Sequence, residues 1–565
     1  MAKAPKAAFT ISPNIGPLGT RYFRLVSALS QTNHPDSQFD VLDGVRKSIT
    51  LETANPSELK FALVASLLAD VVSVGGHIAV RDSVPHVAWP AWNTEVVQGS
   101  IRATMRQRFG DFAFSNDELD VVDNMFLPDL AAHHLKQIVF EGVFRLRSSS
   151  EVHPSGYSYA RAFGVGVKTW SMPYRGREGR SKRFLLTVEH ASLVSERVVG
   201  LLEVGDDAPI SGHRDRLLTL TKESVVEHLE RRAPSEQKLA SNAISERFQK
   251  LRQNLNLAEK YLSLDAVEVL HRRRELEALA RGRSTNGADA EKRRLTYLVR
   301  LSAGEVSFKQ LARREPVNDG LLAAGIRALH NITLPRVHSE ITVCGAVPPF
   351  SGIMGGKAVA AMVAHPKVRA ITSGGLGQIL GETFDSQILE ILPASDVVLL
   401  TTKGLYPGHS SIYNRASVPN DGSELRFSRV GLTKGDTTAM LSDETAQIAI
   451  ALQRVGETGK VSRKFGSGGG KRHRTIIAAV RAAGLPSALA STGIQRPVYA
   501  LSLLSNTFDA LWLLESPVWN IPRSESDVSY ESSATGLWRK RWGHQIHRRI
   551  DATAVHVGLK SQRDG

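Results

Sequence analysis

Ile341-Thr342-Val343-Cys344-Gly345-Ala346-Val347-Pro348-Pro349-Phe350-Ser351-Gly352-Ile353-Met354-Gly355-Gly356-Lys357-Ala358-Val359-Ala360-Ala361-Met362-Val363-Ala364 is the densest structural signal in the sequence. A short run rich in β-branched residues reads as a buried strand, a Pro-Gly stretch as a loop, and the alanine-rich run from residue 356 to 364 as a helix. A second buried strand follows at Val397-Val398-Leu399-Leu400-Thr401-Thr402. Strand, helix, strand in that order predicts a compact α/β pattern.

Working outward, residues 442–455 and 474–483 read as helices and Val498-Tyr499-Ala500-Leu501 as a strand. Upstream, Pro56-Ser57-Glu58 opens a helix that runs towards the turn Gly75-Gly76 and the strand His77-Ile78-Ala79-Val80. Residues 157–170 alternate as a strand does, and residues 183–203 hold two strand candidates around His190. Residues 218–300 change character, with Leu251, Leu255, Ala258, Leu262, Leu270, Leu276 and Leu279 at helical spacing among many charges. The predicted fold class is therefore α/β (mixed α+β) and multi-domain. The predicted divisions are an N-terminal α/β domain over 1–215, a helical charged arm over 216–330 and a C-terminal α/β domain over 331–565.

The chain has 565 residues, 42% apolar and 22% charged, which is a globular balance and argues against wholesale disorder. One cysteine, Cys344, rules out an internal disulfide and a multi-cysteine zinc site. No apolar run approaches the roughly 20 residues of a membrane helix, and residues 1–10 lack a signal-peptide core. These features predict a cytoplasmic protein with no membrane partner. Lys and Arg exceed Asp and Glu by 71 to 56, a net +15, which favours a polyanionic partner such as DNA or RNA.

That charge is clustered. Lys460, Arg463, Lys464, Lys471, Arg472 and Arg474 surround the glycine run 466–470 with no acid between them, a composition suited to following phosphates. Trp538-Arg539-Lys540-Arg541-Trp542 continues to Arg548-Arg549. The arginines and Lys540 suit phosphates, while tryptophans four apart share one helix face and suit docking.

At the Gly-Gly-Lys turn, Gly352, Gly355, Gly356 and Lys357 form a candidate anion cradle, since a helix start presents unpaired N–H groups. It is not a Walker A loop: Ser351 and Ala358 stand at two positions where that loop needs Gly and Ser/Thr. A tight turn with close helix packing explains the same glycines. Gly408 to Arg415 gathers hydroxyls, an imidazole, an amide and a guanidinium, so Tyr413, Asn414 and Arg415 are catalytic candidates. Hydrolytic signals are weak: Pro128-Asp129 and Glu141 match a nuclease core loosely, and His133-His134 point in different directions.

Several phrases occur together in one order. They are Asn256-Leu257-Ala258-Glu259-Lys260-Tyr261-Leu262, the 341–363 stretch, Ser410 to Arg415, Val430-Gly431-Leu432-Thr433-Lys434-Gly435, Phe465-Gly466, Ala483 to Ser487, and Arg496-Pro497-Val498-Tyr499. Over about residues 250–550 the chain thereby resembles the DruA family of the Druantia anti-phage systems. The resemblance implies a role in bacterial antiviral defence beside other Druantia proteins, including a helicase-like subunit. The loop after Phe465-Gly466 departs from the family's Asn- and Pro-containing phrase. The order strand, Val-Pro-Pro loop, Gly-Gly-Lys helix, strand, Tyr-Asn-Arg and Val-Gly strand also resembles GNAT-type acyltransferases. That second likeness implies phosphates of acyl-CoA at Gly352, Gly355, Gly356 and Lys357, and Tyr413 as an acid. Three readings follow in order: a nucleic-acid-binding defence subunit, a degenerate acyltransferase or other CoA- or nucleotide-binding enzyme, and a nuclease.

Overall fold

The computed structural model describes residues 9–13, 16–32, 34–90, 140–152, 182–191, 196–205, 264–280, 337–347, 356–370, 397–406, 412–420, 423–433, 440–458, 471–490, 493–511, 518–522 and 524–561, with isolated positions between them. In chain order the first elements are β1 (Phe9–Thr10), α1 (Gly19–Gln31), α2 (Pro35–Lys47), α3 (Pro56–Ser73), β2 (His77–Arg81) and β3 (Val84–Ala88). Then come β4 (Val143–Ser148), β5 (Lys182–Glu189), β6 (Arg197–Gly205), α4 (Leu264–Ala280), β7 (His338–Ala346), α5 (Lys357–Ala361), α6 (Pro366–Arg369) and β8 (Leu399–Lys403). The last are β9 (Ser417–Asn420), β10 (Ser423–Arg426), β11 (Ser428–Leu432), α7 (Asp443–Arg454), α8 (Lys471–Ala482), β12 (Pro497–Ser502), α9 (Thr507–Leu511) and α10 (Asp527–Ser561).

The central sheet has seven strands in the order β11-β12-β8-β7-β6-β5-β4. Every neighbouring pair is antiparallel except β7 and β8. Parallel neighbours need a crossover, and residues 347–398 with α5 and α6 supply it. The crossover brings α5 very close to the sheet: a Cβ at Gly200 would come within 2.4 Å of Val359 Cγ2. One face of the sheet is covered by α5, α6 and α10, which enclose Phe144, Leu186, Val199, Leu202, Val359, Tyr530 and Trp538. On the other face Ala160 packs with Leu185, Leu201, Val343 and Val347.

A second core joins residues far apart in sequence. Leu25, Leu29 and Leu42 of the first two helices and the whole length of α3 pack with Ile448, Leu452, Ile476 and Val480 of α7 and α8. Asn55 caps α3 in a reciprocal box with Glu58, and Pro56 sits at its first turn. Gly75, at φ +80°, ends it. The helix is apolar almost all round, and residues 61–72 are buried throughout, because other elements enclose it on every side. Trp89 Nε1 donates to Leu489 O at 3.2 Å, and Lys60 pairs with Glu457 at 2.7 Å.

Asp70 supplies the polar link between these halves. Its Oδ2 accepts from Thr445 Oγ1 at 2.6 Å and from Ser442 N at 3.1 Å, at the start of α7. Burial pushes its carboxyl up to about 6 against those hydrogen bonds. The unfolded chain therefore releases this proton first, and the stability that Asp70 contributes is full below its unfolded value. It falls as pH rises through about 6, by roughly 3 kcal/mol in total. Urea unfolding at pH 4 to 7 is expected to show that slope in the native chain and to lose it in Asp70→Asn.

The predicted helix at 56–72, the two strands around His190 and the helices near 442–455 and 474–483 all form. One expectation is corrected: within 157–170, read as a strand, Tyr157, Ala160, Arg161 and Gly164 are helical. Their spacing puts small and apolar residues on one helix face, against the sheet, and alternation over a short stretch does not exclude that. The predicted 356–364 helix is shorter, Lys357–Ala361, and is followed by turns. In the charged section α4 forms, and it leaves Val269, Leu276 and Leu279 exposed. Strands from residues 143–205 and from 338–502 share one sheet, so the stretches 1–215 and 331–565 interleave in both cores.

Candidate functional site

Three groups of sequence candidates meet at one corner of the central sheet. The corner lies where α10 crosses the β9–β10 hairpin and the start of α5. Its anchor is a pair of tryptophans on α10. Trp538 and Trp542 are both buried, and Trp538 meets Phe144 edge-on at 5.2 Å between ring centroids. Four-residue spacing puts both rings on the sheet side of the helix and turns the intervening residues outward or sideways.

Lys357 Nζ lies 3.4 Å from the centroid of the Trp542 ring. Its charge is thus held against the ring's negative face and faces α10. Behind it, Gly356 is a close-packing glycine: a Cβ there would sit 2.9 Å from Ile412 Cδ1 and 3.2 Å from Cys344 O. Gly352 and Gly355 lie outside the described residues.

On the hairpin side, Arg541 pairs with Glu424 at 2.8 Å and donates to Ser417 Oγ. Arg426 reaches the same Glu424 at 3.4 Å, and its side chain is 66% exposed. Cations on both sides hold the Glu424 carboxyl below its usual range despite partial burial. Arg415, two residues before Ser417, is exposed, and Lys540 is exposed on α10. Among the described residues neither side chain has an ion pair or hydrogen bond. Among the described residues Arg426 and Arg541 hold Glu424 between them, and the exposed Arg415 and Lys540 lie on the same two elements, one at the start of the hairpin and one on α10.

Beneath the corner the sheet opens. β7 pairs with β8 only from His338↔Leu399 to Ile341↔Thr402, but it stays paired with β6 as far as Ala346↔Gly200. The edge of β7 from Thr342 to Ala346 is therefore without a β8 partner. Tyr413 lies in this wedge, buried, with its ring against Phe427 and Tyr499. Thr402 Oγ1 donates to Ile341 O at 3.0 Å, which leaves the Thr402 oxygen to accept from Tyr413. Burial pushes the Tyr413 hydroxyl well above its ordinary value and the Cys344 thiol up to about 12, so both keep their protons. Tyr499 donates to Asn414 Oδ1 at 2.7 Å, which fixes the exposed Asn414 beside Arg415.

Other nominated cations are used internally. Arg472 binds Asp443 and the carbonyls of Leu441 and Ser442, at 2.6 and 2.7 Å for the last two. It fastens α8 to the start of α7. Arg539 donates to Gly142 O and lies over Phe144, and burial lowers its pKa. Arg474 is half-buried. Lys464 and the rest of the 460–470 loop lie outside the described residues, as do the side chains of Lys471, Arg548 and Arg549. Pro128, Asp129, His133 and His134 lie outside them too, and Glu141 pairs with His190 at 3.4 Å. Among the described residues no group of three or more His, Cys, Asp or Glu is placed to hold a metal, and no helix is long and apolar enough to cross a membrane.

The sequence reading missed Thr402, Ser417, Glu424, Arg426 and Tyr499. Tyr499 and Thr402 lie in stretches quoted above but were given no site role, and each of the five matters only through strand pairing or the packing of α10 on the hairpin.

No curated protein and no solved structure matches the chain. The family model described as Druantia protein DruA matches residues 235–512. That span contains β7, the crossover, β8, the Tyr413 wedge, the β9–β10 hairpin and β12, while α10 and β4–β6 lie outside it. Through residues 235–512 the chain belongs to the family of Druantia protein DruA, and so to the components of Druantia anti-phage defence.

Proposed function

We propose that this Druantia component binds nucleic acid at the α10–hairpin corner, acting alongside other Druantia proteins with a helicase-like subunit among them. The observation that carries the reading is the exposed pair Arg415 and Lys540, whose side chains have no partner among the described residues, beside the Arg426–Glu424–Arg541 cluster. Excess cations of this kind neutralise phosphates and release counterions, so binding must weaken steeply with salt. With labelled DNA and RNA, affinity is expected to fall at least tenfold between about 50 and 200 mM salt. The double variant Arg415→Glu, Lys540→Glu is expected to weaken binding about tenfold or more and to flatten that slope. Binding that ignores salt, or a double variant that binds as the native chain does, overturns the reading.

A second reading rests on the wedge. The β7 edge beyond the end of β8 offers backbone N–H and C=O groups to an extended amide-bearing chain, as the arm of an acyl-CoA is. Tyr413, kept protonated, stands beside it as a proton donor. Lys357 at the same corner is the nearest candidate for the phosphates. Acetyl-CoA is then expected to raise the melting temperature of the native chain and to leave Lys357→Glu unshifted. No shift in the native chain removes this reading.

A further inference from the structure

The residue 9–89 region contributes a second surface, remote in sequence from the α10 corner. Its longest helix, α3, is enclosed on all sides, and α2 exposes acids, Asp36 and Asp40, as well as Lys47. α1 differs from both. Tyr22, Leu25, Val26 and Leu29 bury one face, and Tyr22 locks it by donating to Ile11 O at 2.7 Å. The other face carries Thr20, Arg21, Phe23, Arg24, Ser27, Ser30 and Gln31, all exposed, and no acid occurs in the helix.

Phe23 is 62% exposed, its ring 6.4 Å from that of the anchored Tyr22. Arg21 and Arg24 flank it, and among the described residues neither has a partner. α1 packs against β2, whose exposed ends bear His77 and Arg81, with Asp82 beside Arg81 at the hairpin tip. A lone exposed phenylalanine is ordinary, but one that shares an acid-free helix face with two exposed arginines, their side chains without partners among the described residues, is not.

We propose that the exposed face of α1 is a platform for single-stranded nucleic acid, with Phe23 stacking on an unpaired base and Arg21 and Arg24 holding its phosphates. A protein groove is a poorer fit. A helix laid in such a groove needs apolar anchors at successive turns, and the turns around Phe23 offer Thr20, Ser27 and Ser30. A duplex is a poorer fit too, because its bases present no face to the ring. Stacking on an aromatic side chain tolerates any base and draws its affinity from phosphate contacts alongside. This platform uses none of the residues of the α10 corner and stands or falls separately from it.

Fluorescence anisotropy of the full chain with labelled oligothymidine and a labelled duplex tests it. Phe23→Ala is expected to weaken single-strand binding about tenfold and to leave duplex binding within about twofold. Phe23→Trp is expected to keep the affinity and to show added tryptophan quenching on binding, which a merely structural Phe23 would not give. Arg21→Glu with Arg24→Glu is expected to reduce the slope of log affinity against log salt by about 1.4. The idea is overturned if Phe23→Ala leaves single-strand binding unchanged, if it affects strand and duplex alike, or if the native chain binds no single strand. Loss of all single-strand binding in the Arg415→Glu, Lys540→Glu variant, with the α1 variants unaffected, overturns the platform and leaves the corner standing.

Discussion

A chain cut to residues 235–512 is expected to yield no cooperatively folded protein, although those residues define the family match. The cut removes β4, β5 and β6, so β7 becomes an edge with its β6 partners missing along Glu340 to Ala346. It removes α10, whose Tyr530, Ala534, Trp538, Trp542 and Ile546 cover one face of the sheet. It also removes residues 9–89, which exposes Ile448, Leu452, Ile476 and Val480 of α7 and α8. Each fully buried aliphatic or aromatic side chain stabilises by about 1.5–3 kcal/mol, and the whole domain has only about 5–15 kcal/mol in hand. Losing a dozen such contacts exceeds that margin. The measurement is circular dichroism with thermal unfolding of the cut chain beside the full chain. A cooperative transition in the cut chain would contradict the shared cores.

Glu531→Ala is expected to destabilise the full chain by about 3–5 kcal/mol, the cost of breaking a buried charge network from one side. Glu531 is buried on α10, where Oε1 accepts from Leu146 N at 2.7 Å and Oε2 from Arg145 Nη1 at 3.0 Å. His365 Nε2 lies 3.4 Å from it. The His365 ring is fully buried, and its Nδ1 accepts from Lys367 N, so its proton is on Nε2, towards Glu531. Removing the carboxylate leaves a buried N–H and a guanidinium short of a partner at once. Burial opposes ionisation of Glu531, but the nearby His365 ring and the hydrogen bonds from Leu146 N–H and Arg145 outweigh it and hold its pKa below the usual range. Its contribution is therefore present above the unfolded value near 4.5 and is lost as pH falls through the lower folded value. Urea unfolding is the measurement: Glu531→Gln is expected to cost less than Glu531→Ala at pH 7, and to weaken the acid dependence. Equal stability of Glu531→Ala and the native chain would refute the network's role.

Much of the site was legible one residue at a time. Lys357, Tyr413, Arg415, Lys540 and Arg541 were each nominated from local composition, and all lie at or beside one corner. Local composition did not separate cations that face solvent from those spent on the fold. Arg472 and Arg539 sit in equally basic runs, yet both bind backbone carbonyls. Helix rotation decides which way a side chain points, and the packing of Trp538 and Trp542 sets that rotation for α10. Arg539 was thereby turned onto Phe144 and Gly142, Arg541 onto Glu424, and Lys540 outward.

The sequence by itself determined the local elements. Capping residues, glycine stops and hydrophobic runs specify α3 and the 341–346 strand, because those signals act within a few residues. It also determined the family, through phrases in a fixed order. Only the tertiary structure decided that β6 pairs with β7 across more than a hundred residues, that α3 is enclosed by α7 and α8, and that β7 and β8 part to leave the Tyr413 wedge. Strand partners and helix neighbours are chosen by the burial of whole faces, a property of the assembled chain that no local stretch encodes.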